Sequence, residues 1–384
     1  MITKIINGRL ICGGDIISEP LYFANGKITF VGGEHEFERT IDADGNYVSA
    51  GFVDIHCHGG GGADFNSGEA DAVRIAVNTH LSFGTTTIYP TVTSASIELM
   101  EKAISAIEAV ESELPSVAGI HLEGPYFSPS QMGAQNGDSL KRPIKKEYET
   151  ILKNHKITRW DYAPDNDPDF EFLETLKEYG VIAAAAHTDA TCAEMEAAAD
   201  RGCRLITHLY SCTSTIRREK GFRIAGVTEA AYLRDDISAE LIADGCHLPS
   251  ELLRLAYKCK GADRLSLVTD SMCAGGTDSE GEFELSGVPC IVEDGVAKLL
   301  DRSAFAGSVA TTDRLVRTCI KAGIPLCDTI KMMTETPARI MGASSVGKLD
   351  VGYDADIVIF DDDITVEAVI SKGNIVKGEE MIKW

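Results

Sequence analysis

The strongest constraint on the fold is a repeating order along the middle of the chain, in which a short apolar run is followed by a segment with helical periodicity. Short apolar runs bounded by turn residues are typical of buried strands. Eight such runs are present, at residues 51–56, 84–90, 117–123, 157–164, 180–187, 203–208, 237–244 and 265–270. Segments with helical spacing lie between or after them, at residues 94–114, 170–178, 192–201, 250–260 and 310–322. This alternation predicts an α/β fold, a TIM-type (β/α)8 barrel rather than an open sheet.

Both ends of the chain have a different pattern, in which short strand-like runs are separated by Gly, Asn, Glu and Pro. The runs lie at residues 4–10, 11–14, 16–21 and 27–31, and again at 356–360, 366–371 and 374–376. Neither end is long enough to bury a core alone. We therefore expect a small, discontinuous β-sandwich domain of residues 1–50 and 345–384, beside a catalytic barrel of residues 51–344.

Composition and charge restrict the class of protein. Of 384 residues, 44% are hydrophobic and 25% charged, which is typical of a globular protein with a large core. The formal net charge of −23 predicts repulsion from nucleic acid and anionic membranes, so we expect neither as a partner. The chain begins without a signal-peptide pattern, and its 11 cysteines include no Cys-x-x-Cys pair. We expect a cytoplasmic protein with reduced thiols.

Most of the predicted strands end on a side chain that can take part in chemistry. The strands of a (β/α)8 barrel have their carboxyl ends at one mouth, where residues far apart in sequence meet. An open sheet would not bring the ends of its first and eighth strands together. The residues concerned are His56, Glu123, His187, His208 and Asp270.

The first strand ends in Asp-Ile-His-Cys-His, followed by four glycines. His56 and His58 face the same side of an extended strand, and neutral imidazole is a common ligand of zinc and other divalent metals. An isolated His-x-His is weak evidence, because two ordinary core or surface histidines would look the same. Glu123, His187 and His208 also follow apolar runs, where a buried polar side chain needs a partner. For any one of these residues, a role as a hydrogen-bonded core group is an equally good explanation. For the whole set together, metal binding is favoured.

Asp270 follows the eighth apolar run. A lone carboxylate at a barrel mouth is costly unless it is paired or bound to metal. Next to an activated water it can act as a general base and then as a general acid. The alternative is an N-cap for the segment that begins at Ser271, and the two roles can coexist. We predict that Asp270 is the catalytic residue.

More specific motifs lie at residues 119–125 (Gly-Ile-His-Leu-Glu-Gly-Pro), 207–210, 242–247, 267–270, 306–308 and 336–339, and in the ending at 347–356. With the His-x-His, the carboxylate, the two further histidines and the final Asp, they resemble the amidohydrolase superfamily. Within it, the chain is similar to N-acetylglucosamine-6-phosphate deacetylases over nearly its full length. The resemblance implies a barrel with a split β-sandwich.

The resemblance also implies a divalent metal, one or two ions per subunit, with zinc as first choice and iron, manganese or cobalt as alternatives. Many superfamily members bridge two metals with a carbamylated lysine at the fourth strand. Here that strand ends in Asp-Tyr-Ala-Pro, so Glu123 is the available bridging carboxylate. The implied ligands are Glu123, His187 and His208 for one metal, with His56, His58 and Asp270 added for a second.

The implied reaction is removal of the acetyl group from N-acetylglucosamine-6-phosphate, a small phosphorylated amino sugar, by a homodimeric enzyme. Arg218 matches the family's phosphate-binding Arg-Glu pair, and Arg suits bidentate phosphate binding. The alternative is that Arg218 is a solvated loop charge. His121 or His247 would help to stabilise the developing oxyanion. The implied substrate contacts are Ala134, Gln135, Arg218, His247 and His121.

One segment departs from the family pattern. After His208 the family has an aromatic residue and then Asn-Ala-Met, whereas this chain has Tyr-Ser-Cys-Thr, with Ser211 and Cys212 at the substrate-contacting positions. Ser211 cannot offer both groups of an amide. An N-acetylgalactosamine-6-phosphate deacetylase, or another N-acyl or cyclic amide hydrolase, therefore remains an alternative. A non-enzymatic scaffold of the same fold is a third interpretation, disfavoured because every expected ligand is present.

Overall fold

The computed structural model describes residues 1–383, and its centre is an eight-stranded parallel sheet. Each strand pairs with the next along the chain. The strands are Phe52–Cys57, Thr85–Thr93, His121–Glu123, Arg159–Tyr162, Ile182–Ala185, Leu205–Ile206, Ser238–Ile242 and Leu265–Val268. The Asp270 amide donates to the His56 carbonyl at 2.9 Å, and the His58 amide donates to the Ser271 carbonyl at 2.8 Å. These bonds join the first and last strands, so the predicted barrel is confirmed.

Helices connect the strands and cover the outside of the barrel. They are α1 (Ala70–Ser82), α2 (Ile97–Val110), α3 (Lys145–Asn154), α4 (Glu171–Glu178), α5 (Cys192–Arg201), α6 (Val227–Leu233), α7 (Ser250–Lys260), α8 (Thr312–Lys321), α9 (Leu326–Met333) and α10 (Glu335–Ile340). The predicted bounds of α5 and α7 agree with the structure. Helix α5 begins sharply because Thr191 and Glu194 form a reciprocal capping box. No helix within residues 1–383 is both long and apolar enough to cross a membrane.

The two chain ends form two further sheets. In order, the five-stranded sheet contains Ile382–Lys383, Arg39–Asp42, Thr3–Ile6, Leu21–Ala24 and Lys27–Val31, and the six-stranded sheet contains Asn374–Lys377, Val366–Ser371, Ile357–Phe360, Tyr47–Ala50, Arg9–Cys12 and Asp15–Ile17. Ile5 and Phe23 of the first sheet share one apolar core with Val48 and Ile357 of the second. The two ends thus build one structure, while the exact domain limits stay a prediction.

The N-terminal strands were predicted with wrong bounds, and the run at residues 16–21, for example, joins the end of Asp15–Ile17 to the start of Leu21–Ala24. The run at residues 4–10 is divided in the structure into Thr3–Ile6 and Arg9–Cys12, which belong to different sheets. Asn7 between them has a φ of 55°. Because this left-handed conformation cannot continue an extended strand, the chain turns there and enters the other sheet.

Smaller elements of secondary structure lie in the loops. The antiparallel strands Gly281–Leu285, Val288–Glu293 and Val296–Leu299 form an insertion after the eighth barrel strand that we did not predict. A two-stranded ribbon joins Arg217–Glu219 to Phe222–Ile224, and another joins Gly59–Gly60 to Ala63–Asp64. Short 3-10 turns occur at Phe65–Ser67, Pro129–Gln131, Gly137–Ser139, Pro164–Asn166 and Glu379–Met381.

Candidate active site

The carboxyl ends of the barrel strands surround a cavity at one mouth of the barrel. Ten of the side chains that the sequence singled out line it: His58, Glu123, Ala134, Gln135, His187, His208, Ser211, Cys212, His247 and Asp270. Four further lining residues were not predicted: Leu285, Ala304, Phe305 and Gly307. The meeting of strand ends that are distant in sequence agrees with the argument from the barrel.

Glu123 is the centre of the polar side chains in this cavity. Its Oε1 atom lies 3.0 Å from His208 Nε2 and 3.2 Å from His187 Nε2. Its Oε2 atom lies 3.4 Å from His58 Nε2, on the other side of the carboxylate. Burial would raise the pKa of Glu123, but hydrogen bonds to His187 and His208 outweigh it, and the pKa falls well below its ordinary value. Glu123 is therefore an ionised carboxylate shared between two groups of histidines.

Asp270 contacts the second group of histidines, which consists of His56 and His58. Its Oδ1 atom lies 3.1 Å from His58 Nε2 and 3.4 Å from His56 Nε2, and the two Nε2 atoms are 3.2 Å apart. Burial would raise the pKa of Asp270, but the charge of His56 and the hydrogen bond to His58 hold it below its ordinary value. Asp270 is therefore ionised at neutral pH.

The backbone at three of these positions is strained. His187, His208 and Asp270 have φ angles of 43°, 29° and 47°. Residues other than glycine seldom adopt such angles, which cost of order 1–3 kcal/mol and cluster at functional sites. The sixth barrel strand accordingly ends at Ile206, two residues before the predicted end, because the chain turns to direct His208 towards Glu123.

The donor atoms fit a divalent metal ion. Glu123 with His187 and His208 forms one group whose ligand atoms lie within 4.8 Å of one another, and Glu123 with His56 and His58 forms a second. The Nε2 atoms of His56 and His58 face each other, an arrangement that neutral imidazoles tolerate only if a proton or a cation lies between their lone pairs. Imidazole and carboxylate ligands suit zinc, iron, manganese or cobalt.

A comparison with known families agrees with this geometry. The sequence profile described as "Amidohydrolase family" matches residues 47–376, which is most of the chain. The chain belongs to the amidohydrolase family. Members of this family are metal-dependent, in agreement with the two ligand groups around Glu123.

Individual relatives show which members of the family this amidohydrolase resembles. It is 33% identical to N-acetylglucosamine-6-phosphate deacetylase of Bacillus subtilis (strain 168), over 91% of each chain. It is 30% identical to N-acetylgalactosamine-6-phosphate deacetylase of Shewanella sp. (strain ANA-3), over 87% of this chain and 84% of the relative. Among solved structures, the chain resembles a mutant of the Mycobacterium smegmatis N-acetyl-D-glucosamine-6-phosphate deacetylase in complex with N-acetyl-D-glucosamine-6-phosphate. The two superpose with a TM-score of 0.90 at 29% identity, and the match covers 98% of this chain and 99% of that one. The resemblance to these deacetylases, expected from the motifs, is confirmed.

Gln135 of this amidohydrolase holds the central carboxylate. Its Nε2 atom donates to Glu123 Oε2 at 2.7 Å, and its Oε1 atom accepts from the Thr93 hydroxyl at 2.8 Å. Sequence reasoning predicted Gln135 as a sugar contact and missed Thr93, which ends the second barrel strand. Because the Gln135 amide is already engaged, its first effect is to orient Glu123.

His247 lines the cavity as predicted, and Asp244 fixes its orientation. Asp244 Oδ2 accepts from His247 Nδ1 at 2.8 Å, while Asp244 Oδ1 accepts from the His247 amide. The His247 ring lies 4.7 Å from the ring of Phe305, centroid to centroid. Since Nδ1 is engaged by Asp244, the Nε2 atom of His247 is the one available to a ligand.

Two predicted substrate contacts lie away from the cavity. His121 is completely buried, with Nδ1 at 3.0 Å from the Thr91 hydroxyl and Nε2 at 3.0 Å from Asp161 Oδ1. This placement argues against a substrate contact for His121, because its ring lies inside the barrel. Arg218 lies on the exposed ribbon of Arg217–Glu219, outside the set of lining residues. The structure therefore brings neither residue into the cavity.

Three of the unpredicted lining residues add apolar side chains to the cavity. Leu285 comes from the three-stranded insertion, and Ala304 and Phe305 come from the loop that follows it. Apolar side chains outside the barrel strands carry no chemical signature, so no feature of the sequence singles them out. The cavity thus combines charged with apolar side chains, the usual composition of a small-molecule site.

Proposed function

We propose that this amidohydrolase removes the acetyl group from N-acetylglucosamine-6-phosphate, to give glucosamine-6-phosphate and acetate. The observation that carries the proposal is the shared Glu123 carboxylate, which joins two groups of histidines in a cavity that also contains Asp270. The activity named for the Bacillus subtilis and Mycobacterium smegmatis proteins supports the choice of substrate.

We propose zinc as the metal, with two ions per subunit. Glu123, His187 and His208 would hold the first ion, and His56 and His58, with Glu123 shared, would hold the second. A divalent ion in this position would polarise the amide carbonyl of the substrate and make water a stronger acid. Three protein ligands with an open position are the usual arrangement of a catalytic zinc site.

Asp270 is proposed to move the proton in this reaction. Its carboxylate is ionised and lines the cavity, so it can take a proton from the water that attacks the acetyl carbon. The same carboxyl group then gives that proton to the sugar nitrogen as the carbon–nitrogen bond breaks. His247, held through Nδ1 by Asp244, offers Nε2 to an oxygen of the substrate.

Acetate release from three substrates tests the proposal. The zinc-loaded protein would be given equal concentrations of N-acetylglucosamine-6-phosphate, N-acetylgalactosamine-6-phosphate and unphosphorylated N-acetylglucosamine. We expect the fastest release from the first. No release from any of the three by protein with bound metal would contradict the proposal.

The galactosamine epimer is the second candidate substrate. Ser211 lines the cavity at the position where the family has asparagine, and the Shewanella relative is named for the galactosamine substrate. The two sugars differ only in the orientation of one hydroxyl group, so residues at this position can affect the discrimination. Faster release from N-acetylgalactosamine-6-phosphate would favour this candidate.

Arg218 is proposed to bind the phosphate, although it lies outside the cavity described above. It pairs in register with Arg223 on the exposed ribbon, where two positive charges lie side by side on an acidic protein. We expect Arg218→Ala to raise the KM for the phosphorylated sugar by on the order of tenfold or more, with little change in kcat, because a charge-assisted contact is lost.

The matched control for Arg218 is Lys220→Ala, which removes a positive charge from the turn of the same ribbon. Steady-state kinetics with the phosphorylated and unphosphorylated sugars would be measured for both variants. An equal change of KM for both sugars in the Arg218 variant would exclude a phosphate contact.

We also propose a homodimer in the cytoplasm. The ribbon and the residue just before it expose the apolar side chains of Phe222 and Ile216, with Phe222 75% exposed. Exposed apolar side chains that cluster on one surface often mark a protein interface. All 11 cysteines are free, which supports a reducing compartment.

A further inference from the structure

Three charged side chains, those of Arg159, Asp161 and Glu240, form a group in the interior of the barrel. Arg159 is completely buried and donates to Asp161 through Nε at 2.8 Å and through Nη2 at 2.9 Å. Its Nη1 atom donates to Oε1 of Glu240, which is also completely buried. A buried guanidinium is stable only if its charge is balanced, and these two carboxylates balance it.

The two carboxylates on Arg159 have different second partners. Glu240 Oε2 lies 3.1 Å from Nδ1 of His56 and accepts from the backbone amide of His208 at 3.2 Å. Asp161 instead faces His121, which is not among the proposed metal ligands, at 3.0 Å. One carboxylate therefore contacts the metal-ligand histidines, and the other does not.

We infer that Glu240, held by Arg159, is a positioning residue that fixes His56 in the form able to bind the second metal ion. An ionised carboxylate can only accept hydrogen bonds, so His56 must carry its proton on Nδ1. The lone pair is then on Nε2, the atom that lies 3.2 Å from His58 Nε2 and 3.4 Å from Asp270 Oδ1. Hydrogen-bonded carboxylates of this kind fix the ring and the tautomer of metal-binding histidines.

Glu240→Gln would reverse this arrangement. The Arg159 guanidinium has only donors, so the carbonyl of the new amide turns towards Arg159. The amide NH2 group then faces His56 and donates to Nδ1, which must give up its proton. His56 is left with its proton on Nε2, where it cannot bind a metal ion.

Asp161→Asn is the matched control. It also removes one negative charge from Arg159 inside the barrel, so it costs stability for the same reason as Glu240→Gln. It leaves the carboxylate that contacts His56 unchanged. An effect of Glu240→Gln that Asp161→Asn does not share therefore comes from the contacts of Glu240 Oε2 with His56 and the His208 amide, and not from a general disturbance of Arg159.

Zinc content after dialysis against buffered zinc tests the inference, which rests on the proposed two-metal site. We expect two equivalents in the wild type and in Asp161→Asn, and one in Glu240→Gln, with the affinity for the second equivalent lowered about 10- to 100-fold. Binding of the first equivalent shows that the variant is folded. Glu240→Asp keeps the charge for Arg159 but is too short to reach His56, so we expect the same loss of the second ion.

The outcomes separate the two proposals. A wild type that binds a single zinc ion would overturn the two-metal site, and this inference with it. A wild type with two ions and a Glu240→Gln variant that binds both with unchanged affinity would overturn the role of Glu240 alone. Equal loss in Glu240→Gln and Asp161→Asn would also overturn it, because the effect would then come from Arg159.

Discussion

Asp270→Asn is expected to lower kcat by on the order of 10³-fold while the metal content and the fold stay unchanged. A positioned general acid–base group contributes about 10²- to 10⁴-fold to a rate. The amide has nearly the shape of the carboxylate, and its oxygen can still face His58, but it cannot accept the proton from water. Acetate release and zinc content of the same preparation would be measured together.

The control for this prediction is Asp278→Asn, which changes an exposed carboxylate that follows the same barrel strand. It should have the activity of the wild type. If Asp270→Asn retained turnover within a few-fold of the wild type, Asp270 would not be the proton carrier. If its zinc were lost as well, the kinetic loss would have to be assigned to metal binding.

Glu123→Gln is expected to abolish zinc binding at both positions and to reduce activity below detection. Glu123 is common to both ligand groups, so one substitution removes a negative ligand from each. A metal ion that binds only the folded state raises stability according to its concentration and affinity. The wild type should therefore gain thermal stability when zinc is added, whereas this variant should gain little.

Thermal unfolding with and without zinc, together with zinc content, would measure this effect. Glu282→Gln provides the control, since it removes an exposed carboxylate from the three-stranded insertion. A Glu123→Gln protein that still held two zinc ions would show that Glu123 is not the shared ligand.

The barrel was predictable because its strands are apolar runs that end on chemically distinctive residues. His56, Glu123, His187, His208 and Asp270 meet as expected from the alternation alone. The three-stranded insertion was missed because Gly281–Leu285 alternates polar and apolar residues over only five positions and lies after the last strand of the repeating pattern. Such a short alternation is also found in ordinary loops.

The buried charged residues behind the site were harder to predict from the sequence. Arg159 and Glu240 were read as parts of strands, although a charged residue within an otherwise apolar run is rarely fully buried unless it is paired. That rule could have marked both residues. Their pairing with each other could not have been found, because 81 residues of sequence separate them. The structure buries His121 inside the barrel, and its motif gives no information about which way its ring faces.

The pairing of the last strand, Ile382–Lys383, with the N-terminal strand Arg39–Asp42 has a consequence for synthesis on the ribosome. Asp42 pairs with Lys383, which lies 341 residues later in the chain. At translation rates of about 5–20 residues per second, this interval lasts on the order of tens of seconds. During that time the first strands have open edges, which can pair wrongly with other chains. The edge of the N-terminal strand Arg39–Asp42 therefore stays unpaired until the strand Ile382–Lys383 has been made.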